Sequence, residues 1–465
     1  MRDTVGIVLN KRALGHTARP LHGRRFLMLQ GPFGPFYKLL ADRLQALGAD
    51  VIKINLNGCD LHGWGVLRRS VLYRGTLEDW STWLSAMVRT EGITDLLMHS
   101  DCQKYHHAAA KVARSHELQV HVTEQGYLRP HWVTFEQGGV NANSSMYAAL
   151  DEVRRFPTHI AARRHDVEAT SKPTQAYVLR TIRANAMLYL AAPLFPGYKN
   201  AFSYPVLKQA GGHIRRALRN RFGHTNRRSL NAVKTMVSDG STPYFVALLQ
   251  CPGDSQIYKH SPFADLGEFC ERVIDSFAKN APENAVLVFK RHPLDHDLDD
   301  HRSRINEAAQ KAGILDRLLY IDGGVLGQII PRAAGVMTIN STAGLASVDM
   351  GCPTICLGQA LYDTDGLTHQ GELDGFWRAP TRPNRDLVER FMGYLLTKTQ
   401  VNGDYATERG MELALAGITE RLVSGCKTSQ VLVFEGHRQH ERRLMQPSDD
   451  ALTALPVSVS VSVSV

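Results

Sequence analysis

The tightest constraint on this chain is an alternation of short apolar runs with helical stretches. "RFLMLQG" (25–31) stops in Gly, and "FYKLLADRLQALGA" (36–49) sets Phe36, Leu39, Leu40, Leu44 and Leu47 on one helical face. "DVIKINLNG" (50–58) then returns to strand. The same unit recurs as "TDLLMHSD" (94–101), "YHHAAAKVARSH" (105–116) and "LQVHVTEQG" (118–126). Further on, "PYFVALLQ" (243–250), "AVLVFK" (285–290), "RLLYID" (317–322), "GVMTIN" (335–340) and "PTICLG" (353–358) are again separated by helical stretches. Repeated βαβ units of this kind imply parallel sheets with helices on their faces.

The alternation is interrupted once. Residues 150–235 hold an apolar patch, "NAMLYLAAPLFPGY" (185–198), and most of the positive charge. From Arg154 to Lys234 there are 12 Arg and 4 Lys against Asp166 and Glu168, a net +14, so the rest of a chain of net +9 carries −5. This segment reads as a basic, mainly helical insertion between two α/β domains. The expected division is an N-terminal extension (1–24), a first Rossmann-like domain (25–150), the insertion (151–235), a second Rossmann-like domain (236–425) and a C-terminal tail (426–465) whose low-complexity end, "PVSVSVSVSV", is expected to be disordered. No run reaches the roughly 18 apolar residues of a spanning helix, and the apolar core of "MRDTVGIVLNKR" is too short for a secretory signal. The cytoplasm is the expected compartment. Seven cysteines without CxxC spacing argue against a zinc site or a disulfide framework.

Ligands of open parallel sheets bind beyond the carboxyl ends of the strands, and the unusual polar residues lie there. Asp101, Glu124 and Gln250 close strands, His292 follows "AVLVFK", and Asn340, Ser341 and Thr342 follow "GVMTI". Lys290, Arg291 and His292 together read as a grip for an anion. "INSTAGLASVDMG" offers free backbone N–H groups and hydroxyls at a helix start, a natural phosphate cradle; the plainer reading is a Ser/Thr cap. "QCPGDSQI" holds Gln250 and Asp254 across a Pro-Gly turn that can aim a carboxylate, or merely cap a helix. "TEQGYLRPHWVTFEQGGVNANS" reads as a long loop rich in binding groups, including Glu124, Tyr127 and Arg129; an Arg129–Glu136 pair would instead serve to order it. "LDHDLDDH" (294–301) reads as a solvated helix start, so no metal is expected. Two such domains facing a cleft form the architecture of GT-B glycosyltransferases and of nucleotide-sugar epimerases.

Taken in order, "LQGPFGPFYKLLADRLQALGADVIKINLNG", "HSDCQKYHHAA", "VTEQGYLRPHWVTFEQGGVNANS", "FKRHPLD" and "INSTAGLASVDMGCPTICLGQALYDTDGLTHQGELDGFW" resemble the KpsS-type capsule polysaccharide biosynthesis proteins of Gram-negative bacteria. The resemblance covers about residues 25–380. It implies a retaining β-Kdo transferase using CMP-β-Kdo, a nucleotide sugar, with no further cofactor. The implied acceptor is a phosphatidylglycerol-type lipid at the inner membrane. By the same resemblance Asp254 and Glu124 are the reacting carboxylates. Gln250, Lys290, His292, Asn340, Ser341 and Thr342 belong to the donor phosphate, in the second domain. Gln30, Asp101, His106, Tyr127 and Arg129 belong to the acceptor cleft, in the first. "CQKYHH" departs from an expected Arg-Pro after "DC", which leaves Gln103 and Lys104 without an implied role. The implied location is peripheral on the inner membrane, on an anionic surface, beside other capsule-assembly proteins and without nucleic acid. The competing readings are a nucleotide-sugar epimerase and a non-catalytic export or scaffold component.

Overall fold

The computed structural model describes residues 20–164, 167–170, 175–199 and 206–425. The expected tail and most of the expected N-terminal extension lie outside the described residues. Twelve strands are found among those described: β1 (Arg25–Met28), β2 (Asp50–Asn55), β3 (Val71–Leu72), β4 (Asp95–His99), β5 (Gln119–Gln125), β6 (Trp132–Gln137), β7 (Tyr244–Leu248), β8 (Val286–Lys290), β9 (Leu318–Ile321), β10 (Gly335–Thr338), β11 (Thr354–Cys356) and β12 (Gln400–Asn402). They build two sheets. One contains the parallel order β3-β2-β1-β4-β5 and the other is β9-β8-β7-β10-β11, the same doubly wound order twice. In each sheet the order reverses beside its first strand. A crevice therefore opens beyond the ends of β1 and β4, and another beyond β7 and β10.

The strands of the second sheet are covered on both faces, which is why they read as continuous apolar runs. Leu287 and Phe289 of β8 enter one core with Phe269, Val273 and Phe277, while Val288 enters the other with Val246, Val233 and Ile330. The segment between the sheets is helical where described, with helices at Leu150–Arg155, Gln175–Leu190, Val206–Phe222 and His224–Asp239.

Two expectations about the first sheet need correction. The stretch expected as a long loop contains β6, which pairs antiparallel with β5, Glu124 opposite Thr134. Beyond it, β12 pairs antiparallel with β6, Gln400 opposite Thr134. The helix Glu408–Ser424 then packs Met411, Leu415 and Ile418 among Phe36, Leu40 and Leu44 of the first unit. The chain has thus returned to the first sheet by residue 400, short of the expected boundary at 425. "QVN" is too short and too polar to carry any strand period, so nothing in the sequence marks the return.

The basic residues after β8 also differ from expectation. Arg291 is 3% exposed and is held by Asp295 at 2.8 Å, Asp297 at 2.6 Å and Asp322 at 3.5 Å. "LDHDLDDH" is accordingly no solvated helix start: Asp295 and Asp297 are buried, and Asp300 alone caps the helix His301–Lys311 by accepting from Ser303 N–H. Arg216 and Arg219 of the insertion reach the same acids, Arg216 forking onto Asp322 and Arg219 onto Asp297 at 2.6 and 2.8 Å. Arg164 is bound by Asp349 at 3.1 Å and Glu389 at 3.0 Å. Three arginines of the insertion, Arg164, Arg216 and Arg219, therefore tie it to the second unit.

Removing one partner from a buried ion network leaves the others uncompensated, at about 3–5 kcal/mol. Arg291→Met should lose stability of that order in denaturant unfolding, whereas Arg228→Met, at an exposed arginine, should stay within about 0.5 kcal/mol. Equal losses in the two variants would contradict the network's role.

Candidate functional site

The crevice of the second sheet is built at its switch point. Gln250, two residues past β7, is 4% exposed and uses its amide as a bridge. Its Nε2 donates to Asn340 Oδ1 at 3.0 Å and to Asp254 Oδ2 at 3.2 Å, and its Oε1 accepts from Asn340 N–H at 3.2 Å. Gly253 takes φ +80°, a left-handed conformation that lets the Pro-Gly turn swing Asp254 back over the strand ends. Asp254 caps the short helix Ser255–His260, Oδ1 accepting from Gln256 N–H at 2.9 Å. Burial raises its pKa, against the hydrogen bonds from Gln256 and Gln250 and the nearby Arg129.

Beside it, Ser341 caps the helix Thr342–Asp349, its Oγ accepting from Ala343 N–H at 3.2 Å. Lys290 closes β8 at 5% exposure, its side chain without a hydrogen bond or ion pair within the described residues, Asp322 and Arg216 being its charged neighbours. Burial lowers its pKa. His292 accepts from Leu294 N–H at Nδ1, 3.1 Å, with Cys251 Sγ at 2.9 Å from the same nitrogen. The ring proton therefore sits on Nε2. Burial, with Arg129 next in effect, lowers the His292 pKa to about 4, so the imidazole is neutral at pH 7. Of the three basic residues expected to grip an anion, only Lys290 supplies a free charge; His292 supplies a neutral donor and Arg291 is spent on the fold.

The first unit faces this crevice with Glu124 and Arg129. Glu124 is 8% exposed; its Oε1 accepts from Gln125 N–H at 2.9 Å and lies 4.0 Å from His99 Nε2. Burial pushes its pKa up to about 7. Arg129 donates Nε–H to Gly126 O at 3.2 Å, which leaves the guanidinium fork clear of Glu136. The residue is exposed, yet the groups packed around its head desolvate it enough to lower its pKa, and Glu124, Cys251 and Asp254 all lie in its electrostatic range. Carboxylates from both units thus act electrostatically on one arginine. The walls also touch: Gln256 Nε2 lies 3.1 Å from Cys102 Sγ, and Lys259 donates to Cys102 O.

Other expected cleft residues are occupied in the scaffold. Asp101 accepts from Val140 N–H at 3.1 Å and Asn143 Nδ2 at 3.0 Å, fixing the segment after β6. His106 is fully buried with Nδ1 2.9 Å from both His99 O and Ser100 O. Tyr127 donates to Glu136 Oε1 at 2.7 Å and accepts from Asn141 N–H at 2.6 Å, so Glu136 orders this loop through Tyr127, not Arg129. Gln30 lines a separate pocket at the switch point of the first sheet, with Gln103, Gln125 and Lys53. Reading the sequence missed Lys53, although a lysine in the middle of "DVIKINLNG" breaks an otherwise apolar strand.

Two doubly wound units with polar sites at both switch points define an α/β protein of the two-domain, cleft-forming GT-B class. The family model "Capsule polysaccharide biosynthesis protein" matches residues 94–405. Among relatives, "Capsule polysaccharide export protein KpsS" of Escherichia coli is 32% identical over 83% of this chain and 97% of its own. "Capsule polysaccharide modification protein LipB" of Neisseria meningitidis serogroup A is 27% identical over 82% of this chain and 91% of its own. Among solved structures, "Thermosulfurimonas dismutans KpsC, beta Kdo 2,7 transferase" is 16% identical, covers 85% of this chain and 99% of its own, and has a TM-score of 0.42. The chain belongs to the capsule polysaccharide biosynthesis protein family.

Glu136, like Glu124, is pushed up to about 7 by burial. Infrared difference spectra between about pH 5.5 and about pH 8.5 should show carboxyls converting to carboxylate near neutrality, and Glu124→Gln should remove about half of that band. An unchanged band would place the Glu124 titration elsewhere.

Proposed function

We propose that this capsule polysaccharide biosynthesis protein is a retaining β-Kdo transferase, moving Kdo from CMP-β-Kdo to a phosphatidylglycerol-type lipid. The observation that supports the reading is that Arg129 has Glu124 of the first unit and Asp254 of the second among its electrostatic neighbours. In this reading the Asp254 carboxylate attacks the anomeric carbon, and the bond to the CMP phosphate oxygen breaks with its electron pair leaving on CMP. Glu124 then takes the proton of the acceptor hydroxyl, whose oxygen attacks the same carbon and releases Asp254. Two displacements give net retention, the logic of retaining glycosidases applied by analogy. Lys290, the His292 Nε2–H and the start of the helix Thr342–Asp349 surround the leaving phosphate. Arg129 lowers the cost of ionising Asp254 in a buried site.

The acceptor is reached at an anionic membrane surface. No helix among the described residues is long and apolar enough to cross a membrane. Ile214, Leu218 and Phe222, four residues apart on one helix, are 56%, 53% and 69% exposed, with Arg221 exposed among them. Such a stripe suits an interface that combines apolar contact with anionic lipid.

The test is CMP release from CMP-Kdo with the lipid acceptor in anionic liposomes. Release should depend on the lipid and fall as salt rises. Asp254→Asn should lose nearly all of it, and Glu124→Gln should be slower by about 10²–10⁴-fold. A base with a pKa of about 7 works only when deprotonated. The rate should therefore climb with pH through that value and level off, and Glu124→Gln should lack the limb. Lipid-independent turnover beyond the one CMP per protein that adduct formation releases, or a wild-type rate in Asp254→Asn, would overturn the mechanism. A changed sugar without CMP loss would mark an epimerase, and no turnover at all a scaffold.

A further inference from the structure

The pocket at the first switch point is the second crevice of the molecule, and no residue of the reacting centre described above fills it. Its floor is the Lys53–Asp60 pair, Nζ to Oδ1 2.7 Å, with both residues under 8% exposed. Asp60 also accepts from Leu56 N–H at 3.1 Å, and Lys53 donates to Ile54 O at 2.6 Å. The floor is thus neutral and internally bonded. Aromatic walls come from Tyr37, Trp64, Tyr198 and Tyr405. Glycine makes the space: a Cβ on Gly31 would come within 2.6 Å of the Tyr37 ring, and one on Gly63 within 2.7 Å of Gly34 O. The cavity measures about 60 Å³, room for about two waters or the hydroxylated end of a small molecule.

Three carboxamides, Gln30, Gln103 and Gln125, line this space, and none of their side chains hydrogen-bonds within the described residues. An amide both donates and accepts, as a hydroxyl does, so three open amides over aromatic walls suit vicinal hydroxyls. A neutral floor offers a bare ion no counter-charge. At the rim Arg180 lies across Gly34; a Cβ there would come within 3.1 Å of its Cδ and 3.3 Å of its Nη1. Its Nη1 faces Met411 Sδ at 3.9 Å, and no carboxylate among the described residues pairs with it. The pocket's inner end is tied to Glu124. Gln125 is its chain neighbour, His99 Nε2 is 4.0 Å from its Oε1, and Tyr405 donates to its backbone carbonyl at 3.1 Å. On the helix that carries Arg180, Leu179 and Ile182 are 46% and 53% exposed.

We propose that this pocket, lined by Gln30, Gln103 and Gln125 over the Lys53–Asp60 pair, binds the polyol end of the acceptor lipid's headgroup, with Arg180 holding its phosphodiester at the rim. The acyl chains leave past Leu179 and Ile182, and a headgroup hydroxyl is delivered to Glu124. This rests on the transferase reading for its purpose, but the binding itself is separable from it.

Calorimetry with dihexanoyl phosphatidylglycerol, kept monomeric, measures the site without chemistry. Dihexanoyl phosphatidylcholine shares the phosphodiester but lacks headgroup hydroxyls, and should bind the wild-type protein at least about tenfold more weakly. The double variant Gln30→Ala/Gln103→Ala and, separately, Arg180→Ala should each weaken phosphatidylglycerol at least about tenfold, a loss typical of one good polar contact. CMP affinity should be unchanged in both, since neither touches the second crevice. Wild-type phosphatidylglycerol affinity in both variants, or equal affinity for the two lipids, would overturn the site. Binding that follows this pattern without Kdo transfer would sink the transferase reading and leave the pocket standing; normal transfer at a wild-type acceptor KM in the pocket variants would do the reverse.

Discussion

Arg291 is the residue on which the second unit's crevice depends. A guanidinium buried at the end of a central strand must be compensated, because an unpaired interior charge costs several kcal/mol. Three carboxylates, Asp295, Asp297 and Asp322, provide this, and their surplus of negative charge is met in turn by Arg216 and Arg219. The network does two jobs at once. It fixes the turn that carries His292, and it docks the helix Val206–Phe222 of the insertion onto the second unit. With the charges of the strand end consumed in this way, Lys290 beside it remains the unspent cation.

The resulting cleft has a mixed electrostatic character. Desolvation raises both candidate carboxyls and neutralises His292, while Arg129 and Lys290 keep uncommitted charge near them. Such a site is poised for an anion that arrives with its own negative charge, such as a nucleotide phosphate. The Glu124 carboxyl, titrating near neutrality, suits proton transfer better than permanent ion pairing. The duplicated strand order places one crevice on each side of this centre: a charged, hydroxyl-rich one in the second unit and a neutral, amide-lined one in the first.

How much of this was legible beforehand follows from where each signal resides. The strands buried on both faces announce themselves as apolar runs, so the doubly wound units could be read directly. Gln250 and Asn340 stood out because they follow strands and Asp254 because a Pro-Gly turn precedes it, and the switch point brings them into hydrogen-bonding contact. The role of "KRH" was not legible. Whether a basic residue faces a ligand or a carboxylate depends on Asp322 and on an insertion helix some 70 residues upstream, and neither is encoded locally. β12 escaped notice for a similar reason, since three residues at a sheet edge gain their strand character from β6 rather than from their own pattern. Lys53 did leave a local trace, a charge inside a strand, whose meaning appears only when Asp60 closes over it.

The central claim is that Asp254 forms the bond to the sugar and Glu124 handles the proton. Its most direct measurement is intact-mass and peptide spectrometry of the protein incubated with CMP-Kdo and no acceptor. The expected result is a single glycosyl adduct mapped to Asp254, accumulating in Glu124→Gln and absent from Asp254→Asn. An adduct on Glu124, or lipid-dependent transfer by an enzyme that never carries one, would contradict the account.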